Sequence, residues 1–102
     1  MEGSGTQKIL IVEDFPAWQE LLKVWLKHAG YQDVYLAKTG AEAIELARKA
    51  MPDCILLDLV LPDMDGMEVC KMVRSVPALG KTPIVMITAH RKDKIMGLEY
   101  GA

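Results

Sequence analysis

The chain has 102 residues, 51% of them apolar, and a formal net charge of −2. That describes one domain with a modest core, and a charge balance without the basic footprint of a protein that binds nucleic acid or an anionic membrane surface. No apolar stretch approaches the ~20 residues that span a bilayer, and the start carries no signal-peptide apolar region, so the expected compartment is the cytoplasm.

Residues 1–7 form a small-residue polar leader, expected to be disordered, and residues 8–102 form the domain. Lys8-Ile-Leu-Ile-Val12 is apolar without alternation, which predicts a strand buried on both faces; it ends in Glu13 and Asp14. Pro16 suits a first helical turn. Trp18, Leu21, Leu22, Trp25 and Ala29 then recur at helical spacing, with Gln19, Glu20, Lys23 and Lys27 expected on the outer face and Gly30 as the stop. Val34 to Ala37 reads as a short strand. Thr39-Gly40 opens a helix through Ala50, whose small inner residues Ala43, Ile44 and Ala47 imply close approach to a sheet.

Pro52-Asp53 breaks the chain before a second continuous apolar run, Cys54 to Leu57, which drives into Asp58. Leu59 to Pro62 and an Asp63-Met-Asp-Gly66 turn follow, and Val69, Cys70 and Val73 mark a helix ending near Ser75. Pro77 to Pro83 reads as a loop, and Ile84 to Ile87 as the next buried strand, ending in Thr88-Ala89. A polar stretch, His90 to Lys94, leads to a fourth helix with Ile95, Leu98 and Ala102 on one face. Cys54 and Cys70 fall inside regular elements and read as buried or half-buried thiols rather than a disulfide.

Strand and helix alternate throughout, the pattern of an α/β fold with a parallel, doubly wound sheet and right-handed crossovers. Ligands of such sheets gather beyond the carboxyl ends of the strands. Three strand ends carry polar groups there: Glu13-Asp14, Asp58 and Thr88. A lone aspartate at a strand end is ordinarily a turn residue, and an acidic pair before Pro16 could simply favour a helix start. Their convergence is what points to chemistry. Carboxylates about 4 Å apart repel by about 4 kcal/mol per pair at an effective dielectric near 20, which a divalent cation relieves. Oxygen ligands favour Mg²⁺ over zinc, and His28 and His90 lie on different elements, unsuited to a shared metal. A haloacid-dehalogenase-type phosphatase would need a second acid where Val60 stands, and a calcium loop would start at Leu61; neither pattern is met.

Five stretches together resemble the receiver domain of two-component response regulators, close to the chemotaxis regulators: Ile9 to Asp14, Gly40 to Ile44, Pro52 to Gly66, Pro83 to Ala89, and Gly97 to Ala102. The resemblance implies a flavodoxin-like fold, with strand order 2-1-3-4 carried over from the family's 2-1-3-4-5. It also implies that Asp58 is the phosphoacceptor, taking a phosphoryl group from a sensor histidine kinase or a histidine phosphotransfer protein. Asp14, Asp58 and the Val60 backbone carbonyl would hold Mg²⁺, with Glu13 acting mainly through water. Thr88 would contact the attached phosphate and act as the switch, beside the Ala89 N–H. The side chains of Val60 and His90 would flank the path of hydrolytic water. The family continues past a Gly-Ala like Gly101-Ala102 into a fifth strand, a Lys-Pro pair and a fifth helix, so the domain is expected to be C-terminally incomplete. Without a fifth strand, the fourth would be an apolar edge suited to a homodimer. The alternative expectation is a receiver-like interaction module that does not accept phosphate.

Overall fold

The computed structural model describes residues 7–87. In chain order they form β1 (Lys8–Val12), α1 (Pro16–His28), β2 (Asp33–Ala37), α2 (Gly40–Ala50), β3 (Cys54–Asp58), α3 (Gly66–Arg74) and β4 (Ile84–Ile87). The leader through residue 6, together with Thr88, Ala89, His90 and the expected fourth helix, lies outside the described residues.

The four strands make one parallel sheet in the order β2-β1-β3-β4, as expected. Register places Leu10 beside Ile55 and Ile55 beside Ile84, with Val12, Leu57 and Met86 in the next shared row. Rows of a parallel sheet share a face. The chain turns one way from β1 to β2 and the opposite way from β2 to β3. Right-handed crossovers therefore place α1 on one face and α2 with α3 on the other. Leu10, Val12, Ile55 and Leu57 pack in a core with Ala43, Ile44 and Ala47 of α2 and Val69 and Val73 of α3. Ile9 and Ile11, in the alternate rows, are buried as well. Most residues of the two central strands are buried on one face or the other, which accounts for the unbroken apolar runs.

The helix ends follow local chemistry. At α2, Thr39 accepts the Glu42 N–H at 3.1 Å while the Glu42 carboxylate accepts the Lys38 N–H at 2.6 Å, a variant of the capping box. The Asp53 carboxylate accepts the Lys8 N–H at 2.8 Å and its own N–H reaches the Lys8 carbonyl at 2.7 Å, which sets β3 beside β1.

Two expectations need correction. Gln19 is buried rather than on the outer face of α1, whereas Trp25 is 56% exposed and Leu21 is exposed too. The arc of α1 that meets the sheet is centred on Gln19, Leu22 and Leu26, because the Gln19 side chain donates to the Glu13 carbonyl at the end of β1. Nor is Pro77 to Pro83 merely a loop. Pro77–Leu79 form a 3-10 turn that drops Leu79 into the core, and Arg74 braces it by donating to the Leu79 and Thr82 carbonyls at 3.2 and 2.7 Å. Cys54 and Cys70 are free and half-buried, and burial pushes the Cys54 thiol pKa up. Among the described residues no helix is long and apolar enough to cross a membrane.

Candidate functional site

The direction of winding reverses at β1, so the crevice between the carboxyl ends of β1 and β3 is the place where this topology leaves room for a ligand. Glu13 and Asp14 follow the last residue of β1, and Asp58 is the last residue of β3. Each offers a carboxylate oxygen within 4.8 Å of the others; Glu13 and Asp58 are each 1% exposed, and Asp14 is half-buried. Two full charges at that separation repel by about 3 kcal/mol at an effective dielectric near 20.

The sheet and its loops hold these groups in place against that repulsion. The Glu13 N–H extends the ladder to the Ala37 carbonyl at 3.0 Å, its carbonyl accepts from Gln19, and its carboxylate accepts the Phe15 N–H at 3.1 Å. Asp58 accepts the Val60 N–H at 3.2 Å, while the Leu59 N–H reaches the Ile87 carbonyl of β4 at 3.4 Å.

The connection from β3 to α3 then folds back sharply. Val60 pairs with Asp65 in an isolated antiparallel bridge, and the Gly66 N–H donates to the Leu59 carbonyl at 2.8 Å. Gly66 is required by close approach: a Cβ there would lie 2.6 Å from the Asp58 carbonyl oxygen and 2.7 Å from the Leu59 Cα. Asp65 caps α3 through the Met67 N–H at 2.8 Å. Asp63 reaches across to α2, where its two oxygens accept the Gly40 and Ala41 N–H groups at 2.7 and 3.0 Å. The Gly40 bond, above all, holds its carboxyl below the usual carboxylate range.

Of the residues singled out in the sequence, Glu13, Asp14 and Asp58 come together and Val60 sits on the adjoining loop, whereas Thr88, Ala89 and His90 lie outside the described residues. Two supporting residues were not anticipated. Gln19 carried a weak signal, since it stands three and seven residues before Leu22 and Leu26 and so shares their side of the helix. Asp63 carried none, because its partners are 22 and 23 residues away.

Oxygen donors alone, clustered and mostly buried at a sheet's carboxyl edge, fit a hard divalent cation. Fold and site together define a parallel α/β domain with an acidic, metal-capable crevice at its topological switch point. The family model for the response regulator receiver domain matches residues 9–102, and the chain belongs to that family, the receiver domains of two-component signalling. Solved structures agree. A protein of Chloroflexus aurantiacus assigned as a response regulator is 40% identical, with 94% of this chain and 80% of that one covered and a TM-score of 0.78. The chemotaxis response regulator CheY4 of Vibrio cholerae is 36% identical over 94% of this chain and 81% of its own, again at 0.78. The receiver domain of a sensor histidine kinase from Pseudomonas aeruginosa, solved with a magnesium ion in its active-site cleft, is 32% identical over 88% of this chain and 77% of its own, also at 0.78.

Proposed function

We propose that this chain is a phosphoacceptor domain in a Mg²⁺-dependent phosphorelay, with Asp58 as the residue phosphorylated. The observation that carries the reading is Asp58, 1% exposed at the end of β3, with Glu13 and Asp14 carboxylate oxygens within 4.8 Å, in a chain of the receiver family. A carboxylate oxygen of Asp58 attacks the phosphorus of a phosphohistidine on a sensor kinase or phosphotransfer protein. The phosphorus–nitrogen bond breaks, its electron pair returns to the imidazole, and an aspartyl phosphate forms. Asp14, Asp58 and the Val60 carbonyl hold the cation, with Glu13 acting mainly through water. Mg²⁺ bound there offsets charge on the transferring phosphoryl oxygens. Thr88 and the Ala89 N–H contact the attached phosphate, and movement of the Thr88 hydroxyl toward it switches partner affinity. Later attack of water on phosphorus restores the carboxylate and releases inorganic phosphate.

The domain acts in the cytoplasm, where the phosphodonor partner is found. The deciding experiment is incubation with acetyl phosphate and Mg²⁺, followed by intact mass. One added phosphoryl group, lost in Asp58→Asn or on chelation, is the expected result. Labelling that persists in Asp58→Asn sinks the assignment, and no labelling of the folded wild type favours an interaction module that does not accept phosphate.

A further inference from the structure

The loop between Asp58 and α3 is tied to itself by the Leu59–Gly66 hydrogen bond and the Val60–Asp65 bridge, and anchored below by Leu61 in the core. Besides the Leu59 N–H on the Ile87 carbonyl of β4, its polar tie to another element is the Asp63 side chain. Each of the two Asp63 oxygens takes one N–H of α2, Gly40 at 2.7 Å and Ala41 at 3.0 Å, so the carboxylate is fixed in orientation as well as position. The fit is close: a Cβ built on Gly40 would come within 2.4 Å of the Met64 Cγ. The first turn of α2 is thus capped from two directions. Thr39, from its own chain segment, takes the Glu42 N–H, and Asp63, from the phosphoacceptor loop, takes the two N–H groups before it.

We propose that Asp63 is a positioning residue, clamping the phosphoacceptor loop to the start of α2 so that the Val60 carbonyl is held ready for the cation. The proposal rests on the metal-binding reading above. The clamp couples two sites, and coupling is reciprocal: cation binding slows hydrogen exchange at the Gly40 and Ala41 amides, and loss of the clamp weakens the cation.

The test compares Asp63→Ala and the milder Asp63→Asn with Thr39→Ala, which weakens the same helix end without touching the loop. Mg²⁺ affinity is measured by calorimetry, and amide exchange at Gly40, Ala41 and Gly66 is followed with and without Mg²⁺. Asp63→Ala is expected to lose about tenfold in Mg²⁺ affinity, the lower end for residues that support metal ligands, and to exchange faster at all three amides. Asp63→Asn should fall between it and the wild type. Thr39→Ala should lower Tm yet bind Mg²⁺ within about twofold of wild type, below the effect of a ligand-supporting residue. Equal affinity in Asp63→Ala and wild type, or an equal loss in Thr39→Ala, overturns the clamp. A wild-type protein that binds no Mg²⁺ overturns the metal-binding reading itself, and is recognised before any variant is made.

Discussion

Replacing Gly66 by alanine perturbs the backbone that carries Asp58. The added methyl would sit 2.6 Å from the Asp58 carbonyl oxygen and 2.7 Å from the Leu59 Cα, and both obstacles are main chain. An ordinary carbon–oxygen contact is about 3.3 Å, so the end of β3 and the start of α3 must separate by about 0.7 Å. Neither gives way easily: β3 is paired on both sides, with β1 and with β4, and Val69 and Val73 seat α3 in the core. Overpacking of this kind costs about 1–3 kcal/mol. At about 4–8 °C per kcal/mol for a domain of this size, a 2 kcal/mol loss lowers Tm by about 8–16 °C. Gly80→Ala is the control, because the nearest atoms there are 3.6 and 3.9 Å away and φ is −61°. It should hold or raise Tm, with a gain in stability of up to about 1 kcal/mol, as the unfolded chain loses freedom. Thermal melting of both variants with and without Mg²⁺ checks this, and Gly66→Ala should also show the weaker metal-dependent rise in Tm. A Gly66→Ala protein melting within about 2 °C of wild type, less than the shift of even a 1 kcal/mol loss, would refute the close-approach argument.

Asp14→Asn removes a formal charge from the cation site and is expected to weaken Mg²⁺ binding by at least about tenfold by calorimetry; an unchanged affinity would remove Asp14 from the ligand set. Val60→Asn places an amide able to orient water where valine cannot, so the aspartyl phosphate should decay about tenfold faster, less than a positioned general base contributes. Phosphate release from labelled protein follows it, and an equal or slower rate contradicts the water-access argument. Asp63 has its folded-state pKa lowered by the Gly40 and Ala41 N–H groups. The stability it contributes is therefore fully present above the ordinary carboxylate value of about 4 and lost as pH falls through the lower folded value. The difference in unfolding free energy between wild type and Asp63→Ala should be flat at neutral pH and shrink in acid; a difference that stays constant throughout acid titration would show that the carboxylate charge plays no part.

The sheet was legible because its two central strands are largely buried on both faces. Runs such as Ile9 to Val12 and Cys54 to Leu57 have no other economical home, and the small residues Ala43 and Ala47 locate the helix packed against them. The strand-end acids were legible by the same token, since topology alone brings the ends of β1 and β3 together. Helix faces were read less well. Trp25 scores as a core residue by composition, but an isolated helical period does not say how wide an arc the sheet covers, and on α1 a glutamine takes the centre of that arc. Leu79 escaped notice because one apolar residue between Pro77 and Gly80 has no period at all; it is buried because a 3-10 turn rotates it inward.

What separates the acids of the site from their neighbours is where each carboxylate sits relative to the starts and ends of the elements. Asp53, Asp63 and Asp65 each meet N–H groups at the start of a strand or helix, at Lys8, at Gly40 and Ala41, and at Met67, where the first amides of an element have no partner within it. Their charge is absorbed by the fold. Glu13, Asp14 and Asp58 follow strands whose amides are already committed to the ladder. The N–H groups of Phe15 and Val60, in the loops that follow those strands, bend the carboxylates of Glu13 and Asp58 into place, and the three acids lie within 4.8 Å of one another. A composition count treats all six alike. The fold puts three of them to work at the starts of other elements and gathers the other three at the sheet's carboxyl edge as oxygen donors suited to a divalent cation, and through the paired caps of α2 it links the first set mechanically to the second.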